Sequence, residues 1–252
     1  MSIVVNTNID SILVQRSLVK ATAGISRSIE RLSTGYRINN AADDAAGLTI
    51  SEGLAAQARG STVASDNAQT GINLLQTAEG DLSIIQDNLQ RIRDLTVQAA
   101  NGTYGTEERI AIEKEVVARL KEINRLANSS KFNSINLLNG EGTNLVLQIG
   151  PNTEASLNSL DIGGPLSKAT YTSLGIVSLD TAYSTSASAA SFLREIDIAI
   201  KAVSERRSEI GSLQNRLEST IDSLEIKSQN LEAAESRIRD VDIADEASNL
   251  TK

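Results

Sequence analysis

From Ile196 to Ile238 every seventh residue is apolar: Ile196, Val203, Ile210, Leu217, Leu224, Leu231 and Ile238. Only a continuous helix puts these on one line, and a strict period of seven makes the line a seam that follows a supercoiling partner. The stretch holds no Pro and one Gly, Gly211, so little interrupts the helix. Its companion positions are mixed: Leu193, Ile200 and Ile221 are apolar, whereas Arg207, Gln214, Ser228 and Glu235 are polar. The seam is therefore narrow and needs helices from elsewhere in the chain. A second seam supplies one: Leu75, Ala78, Leu82, Ile85, Leu89, Ile92, Thr96 and Ala99 step by three and four. It lies in a Pro-free stretch from Asp44 to Ala100 that would make a helix roughly 80 Å long. The part from Gly53 to Gly71 is richer in Gly, Ala, Ser and Thr, and is expected to be the less stable half or to bend.

The other elements follow from caps and shorter patterns. Asn6, Thr7 and Asn8 offer caps for a helix from about Ile9, whose stripe is Val14, Leu18, Ala21, Ile25, Ile29 and Leu32 and whose stop is Gly35. Few Lys or Arg lie on its polar face, which argues against a membrane surface. Asp43 or Asp44 caps the long helix that follows, and Asn101-Gly102 closes it. Thr106 is the expected cap of a third helix, with Glu107 and Glu108 in its first turn and a stripe of Val116, Leu120, Ile123 and Ala127. A short link lets it fold back antiparallel. Phe132, Ile135, Leu137 and Leu138 form an apolar patch anchoring the return. Leu145, Leu147 and Ile149 alternate on one face, Gly150-Pro151-Asn152 is a turn, and Leu160 and Ile162 mark a returning strand. Tyr171 to Ala190, rich in Ser, Thr and Ala, reads as a surface connection. The fold class is mainly α: an elongated antiparallel helical bundle or coiled-coil rod with a small β-hairpin region.

Composition narrows the chemistry. Hydrophobic residues make up 40% of the 252, enough for a core, but aromatics only 2%, which suits thin bundles of Leu, Ile, Val and Ala. The chain has no His and no Cys, which removes the commonest general base and excludes thiol catalysis and zinc sites. No catalytic, metal or cofactor site is expected, and the reading is not an enzyme. A net charge of −8 argues against nucleic-acid binding, and no apolar run is long enough to cross a membrane. Asn6, Asn8, Asp10, Gln15 and Arg16 break up any secretory apolar core at the N-terminus. The acidic tail, Asp240, Asp242, Asp245 and Glu246, reads as a solvated helix face rather than a metal site.

Several stretches carry a family likeness. Arg37-Ile38-Asn39-Asn40-Ala41-Ala42-Asp43-Asp44-Ala45-Ala46-Gly47-Leu48-Thr49-Ile50-Ser51 resembles the signature near the N-terminus of bacterial flagellins. So do Met1–Leu32, Asn88–Val97 and Gln214–Lys252, notably Ser236-Arg237-Ile238-Arg239-Asp240-Val241-Asp242 and Ser248-Asn249-Leu250-Thr251-Lys252. The resemblance implies an inner coiled coil from the chain ends (1–42 and the start of a segment at 241–252) and a rod domain over 43–240. Within that rod, helices are expected at about 44–100, 106–128 and 190–240, with a β-hairpin region at about 140–165. Outer variable domains should be absent. Flagellins continue into a further helix that pairs with the N-terminal one. This sequence ends at Lys252 without it, which implies a rod that folds with Met1–Ala42 mobile and polymerises poorly.

The function so implied is a structural subunit of the extracellular flagellar filament, serving motility. Its partners would be other flagellin subunits, the flagellar type III export apparatus acting without a cleaved signal peptide, and a chaperone. A second implied partner is the Toll-like receptor that senses flagellin in animal hosts. On the family's receptor- and subunit-contact motif, Arg91, Leu95 and Glu115 match residue by residue, with Gln90 and Asp94 beside them. Arg91 would offer a planar donor fork, Leu95 an apolar anchor and Glu115 an acceptor. The bland alternative is that Arg91 and Glu115 pair across two helices. Rival readings are a hook–filament junction protein and a secreted, non-polymerising helical binding module.

Overall fold

The computed structural model describes residues 8–178 and 182–251. The expected caps Asn6 and Thr7 lie outside them; Asn8 fills the role, its side chain accepting from the Ser11 amide at 3.0 Å. The helices are α1 (Ile9–Thr34), α2 (Ala45–Ala100), α3 (Thr106–Ser129), the single turn α4 (Ala155–Asn158), α5 (Ser186–Arg239) and α6 (Ile243–Thr251). The strands are β1 (Lys131–Phe132), β2 (Ile135–Asn136), β3 (Val146–Gln148) and β4 (Ser159–Asp161). The chain divides into two compact units, one of residues 1–61 with 226–252 and one of residues 62–225.

In the 62–225 unit, polar contacts fix the helix directions. Arg91 and Asn88 of α2 meet Glu115 and Arg119 of α3, so α2 and α3 run antiparallel. Arg93 meets Asp197 and Gln86 meets Ser204, so α2 and α5 also run antiparallel. Between them lies one buried cluster. It contains Leu75, Ala78, Leu82, Ile85, Leu89, Ile92 and Ala99 of α2, Val116, Leu120, Ile123 and Ala127 of α3, and Ile196, Val203, Ile210 and Leu217 of α5. Leu224 is also buried. Thr96, the polar member of the α2 line, is buried with its hydroxyl donating to the Ile92 carbonyl at 2.7 Å. α2 continues unbroken through Gly53–Gly71.

Strands β3 and β4 pair antiparallel, with Leu147 opposite Leu160. Leu147 lies against Gly71, where any Cβ would collide with its side chain. Asn67 Nδ2 donates to the Gln148 carbonyl at 3.2 Å and completes the attachment of the hairpin to α2. A second hairpin, β1–β2, was not foreseen; its two-residue turn, Asn133-Ser134, has positive φ at both positions, the twist that short hairpins need. Of the apolar patch expected here, Leu137 and Leu138 are fully buried, but Ile135 is 39% exposed at the hairpin end.

Three further expectations are corrected. Thr106 is the first helical residue of α3 rather than its cap; Gly105 occupies the cap position without a side-chain bond. The final long helix starts at Ser186. The stretch leading into it is not merely a surface connection: Leu174, Ile176, Ala182 and Tyr183 are buried in the same cluster.

In the other unit, the described part of α1 ends at Gly35, whose φ of 76° is the left-handed conformation that glycine adopts without penalty. The Arg37 amide donates to the Arg239 carbonyl at 2.6 Å and the Val241 amide to the Gly35 carbonyl at 3.0 Å, so the two ends of the chain form a short antiparallel contact. α6 packs along α1. Leu231 and Ile238, the last two positions of the seven-residue line, are only half-buried.

Candidate subunit-contact surface

Two places bring predicted or chemically notable residues together. The first is the α2–α3 face. Arg91 and Glu115 face each other at 3.5 Å, with the Arg91 side chain about half exposed. Glu115 also accepts from Arg119 at 3.1 Å, one turn on, and Arg119 reaches Asn88 at 3.4 Å. The α2 and α3 backbones thus hold a small charged lattice in place. Its ion pairs are solvent-screened and add little to stability; their exposure makes them available to an incoming partner. Gln90 and Asp94 are exposed beside it.

Leu95 departs from the expected picture. Its side chain is 4% exposed and lies in the buried cluster. α2 packs against α3 on one side and α5 on the other, so it buries a face wider than a single heptad line, and Leu95 falls on that wider face. It supports the surface from beneath and offers no exposed apolar anchor. On the α5 side, Arg93 donates to Asp197 at 2.7 Å, and this carboxylate raises the Arg93 pKa further. Arg207, a polar break in the α5 pattern, bonds Gln86 at 2.8 Å and Glu79 at 3.5 Å.

The second place is the docking of the chain ends, a pairing that the family resemblance implied but whose contacts no residue pattern located. Arg37 donates to the Ile238 carbonyl at 2.5 Å. Arg239 stacks over the Tyr36 ring, 4.5 Å from its centre. Glu246 is 6% exposed and pairs with Arg31 at 3.5 Å. Asp242 caps α6, accepting from the Ala244 amide at 2.9 Å. Within the acidic tail Asp242 is thus a cap and Glu246 an internal ion-pair partner, while Asp240 and Asp245 are exposed as expected. Among the described residues no group of acids is placed to hold a metal ion. Asp43 accepts backbone bonds from Asn40 and Asn39, and the Asn40 bond leads in holding its carboxyl below the usual range. Asp44 caps α2 through the Gly47 amide at 2.9 Å. The signature stretch is therefore a built joint between α1 and α2 that also receives the end of α5.

The long exposed face of α1 completes the picture. Ile9, Leu13, Val14, Leu18 and Val19 are each between 64% and 72% exposed, and Ile25 and Ile29 are about half exposed. An apolar face of this extent on a helix marks an interaction surface.

Packing of this kind defines the class first: the fold is that of flagellar structural proteins. A solved flagellin from Bacillus cereus matches with a TM-score of 0.54 and 27% identity, covering 63% of this chain and 88% of that one. A putative hook-associated protein from Vibrio parahaemolyticus matches at 0.61 over 79% of this chain and all of that one, but with 16% identity shares the fold alone. Residues 5–143 match the bacterial flagellin N-terminal helical region and residues 193–252 the C-terminal helical region. Flagellin FlaB1 of Treponema pallidum is 39% identical, covering 99% of this chain and 90% of that protein. The flagellin of Halalkalibacterium halodurans is 41% identical over the same shares. The chain belongs to the bacterial flagellin family, a family of structural proteins.

Proposed function

We propose that this protein is a structural subunit of a bacterial flagellar filament, extracellular, polymerising with copies of itself and serving motility. The observation that carries the reading is the bare apolar face of α1, joined to family membership through both chain ends. Exposed leucine, isoleucine and valine in this number are costly in water and favour burial against another copy. Heterologous contacts that do not close propagate a helical polymer. The segments 1–42 and 241–252 would belong to an inner layer and the remainder to a surrounding rod. Export through the flagellar type III apparatus without a cleaved signal, with chaperone help, fits this role. Near-full-length identity to flagellins favours it over the junction-protein reading, which rests on fold. Negative-stain imaging with and without filament seeds tests it: growth onto seeds is expected, even where the chain alone polymerises poorly. A chain that remains monomeric or forms only closed dimers would instead be a helical binding module.

A second reading concerns the α2–α3 face. We infer that the monomer presents Gln90, Arg91, Asp94 and Glu115 to the flagellin-sensing Toll-like receptor, with the buried Leu95 holding the face in shape. The exposed Arg91–Glu115 pair supports this. Arg91→Ala with Glu115→Ala should weaken receptor signalling while leaving the unfolding free energy within about 1 kcal/mol of the parent. Full signalling by that folded variant would remove these residues from the contact.

A further inference from the structure

The chain contains two Asn-Gly pairs, Asn101-Gly102 and Asn139-Gly140. In both, the absence of a Cβ on the glycine leaves its backbone nitrogen free to approach the preceding Asn side chain. The surroundings separate them. Asn101, Gly102 and Thr103 are all exposed in the turn after α2, and a Cβ on Gly102 would meet nothing within 4 Å. Asn101 Oδ1 accepts from the Thr103 amide at 3.2 Å, which folds the side chain back over the intervening Gly102 peptide. Among the described residues no acceptor holds the Gly102 N–H. The Thr103 N–H is aimed at the oxygen on which negative charge develops when a nitrogen adds to the amide carbon.

Asn139 makes the same kind of turn, accepting from the Glu141 amide at 2.9 Å, but inside a clamped loop. Asn139 and Gly140 are half-buried. The Leu138 carbonyl accepts from the Ala169 amide at 2.8 Å. The Gly140 carbonyl accepts from the Thr143 hydroxyl at 3.3 Å. The Lys168 side chain lies 3.4 Å from where a Gly140 Cβ would stand. Closing a five-membered ring requires the Asn backbone and side chain to rotate together, and this loop resists that rotation.

We propose that Asn101 is a self-modification site, deamidating in the folded protein with water as the only co-reactant. The Gly102 nitrogen gives its proton to solvent and attacks Asn101 Cγ. The new C–N bond forms, the Cγ–Nδ2 bond breaks, and the amide nitrogen takes up a proton and leaves as ammonia. Water then opens the cyclic imide at either carbonyl, giving aspartate or isoaspartate; nothing is oxidised or reduced. The product carries a carboxylate just past the C-terminal end of α2, where the helix dipole disfavours negative charge. The isoaspartate form also lengthens the backbone in a turn that Gln98 ties to the Tyr104 hydroxyl at 2.7 Å. Conversion thus loosens the link between the two helices that carry Arg91 and Glu115.

The test is to age the full chain in mildly alkaline buffer, folded and in urea side by side, then digest it and weigh the two Asn-Gly peptides. In the folded sample the Asn101 peptide is expected to convert severalfold faster than the Asn139 peptide, and in urea the two rates should converge. Gly102→Ala fits the open space at that position; it should slow Asn101 and leave Asn139 unchanged, with circular dichroism showing that the variant folds. Equal rates in the folded sample would overturn the proposal. So would an Asn101 that stays an amide when folded yet converts in urea.

Discussion

The phenol of Tyr183 is 3% exposed, packed edge-on to Phe192 with ring centres 5.7 Å apart. Its hydroxyl meets Thr96 Oγ1 at 2.8 Å. Burial is the main reason its pKa rises from 10.0 to about 12, and the Thr96 bond offsets only part of that rise. An unfolded tyrosine ionises near 10, while this one stays neutral until about pH 12. Its contribution is therefore complete below pH 10 and is lost as pH climbs from 10 to 12, at most roughly 2–3 kcal/mol. Denaturant melts of the parent and Tyr183→Phe across that window should show a steeper fall for the parent. At neutral pH the variant should lose about 1 kcal/mol, the worth of one hydrogen bond. This pair was not legible in the sequence. Thr96 entered only as one position of the α2 line. Tyr183 lies in a Ser- and Thr-rich stretch with no period, and nothing local reveals that this stretch folds inward.

Among the elements, the long helices were legible because each apolar line repeats often enough for burial to dominate local propensity. The β3–β4 hairpin was legible from its alternation and the Gly-Pro-Asn turn. The β1–β2 hairpin was not, since two residues per strand hold no period and Asn133-Ser134 is a weak turn signal. The pairing of the chain ends was implied by the family resemblance alone; its contacts were hidden, because the pairing of Arg31 with Glu246 spans most of the chain. That pair is partly shielded, with side-chain exposures of 26% and 8%. Glu246→Gln should leave Arg31 short of its counter-charge and cost about 1–2 kcal/mol locally, between the values for exposed and fully buried pairs. Amide exchange over 243–251 should quicken, while exchange in the core of α3 stays at the parent rate. Equal protection in the variant would mean that α6 is held by its other contacts, such as the Asp242 cap.

For the whole molecule, the decisive balance is between what the isolated chain buries and what it leaves bare. Leu82, Leu89, Ile196 and Val203 have already lost their water in the single chain; they stabilise the subunit and have nothing left to give an assembly. Val14 and Leu18, at 67% and 64% exposed, are in the opposite position. Replacing them by Val14→Ser and Leu18→Gln should leave the denaturant midpoint of the monomer almost unchanged, because exposed substitutions typically shift stability by no more than about 0.5 kcal/mol. If a filament neighbour buries this face, each change removes roughly 1–3 kcal/mol of apolar burial per added subunit. The subunit concentration needed for seeded growth should then rise at least tenfold, which sedimentation at increasing concentration would read. A variant that melts early, yet grows from seeds at the parental concentration, would show that the face is packed within the chain and that assembly uses another surface.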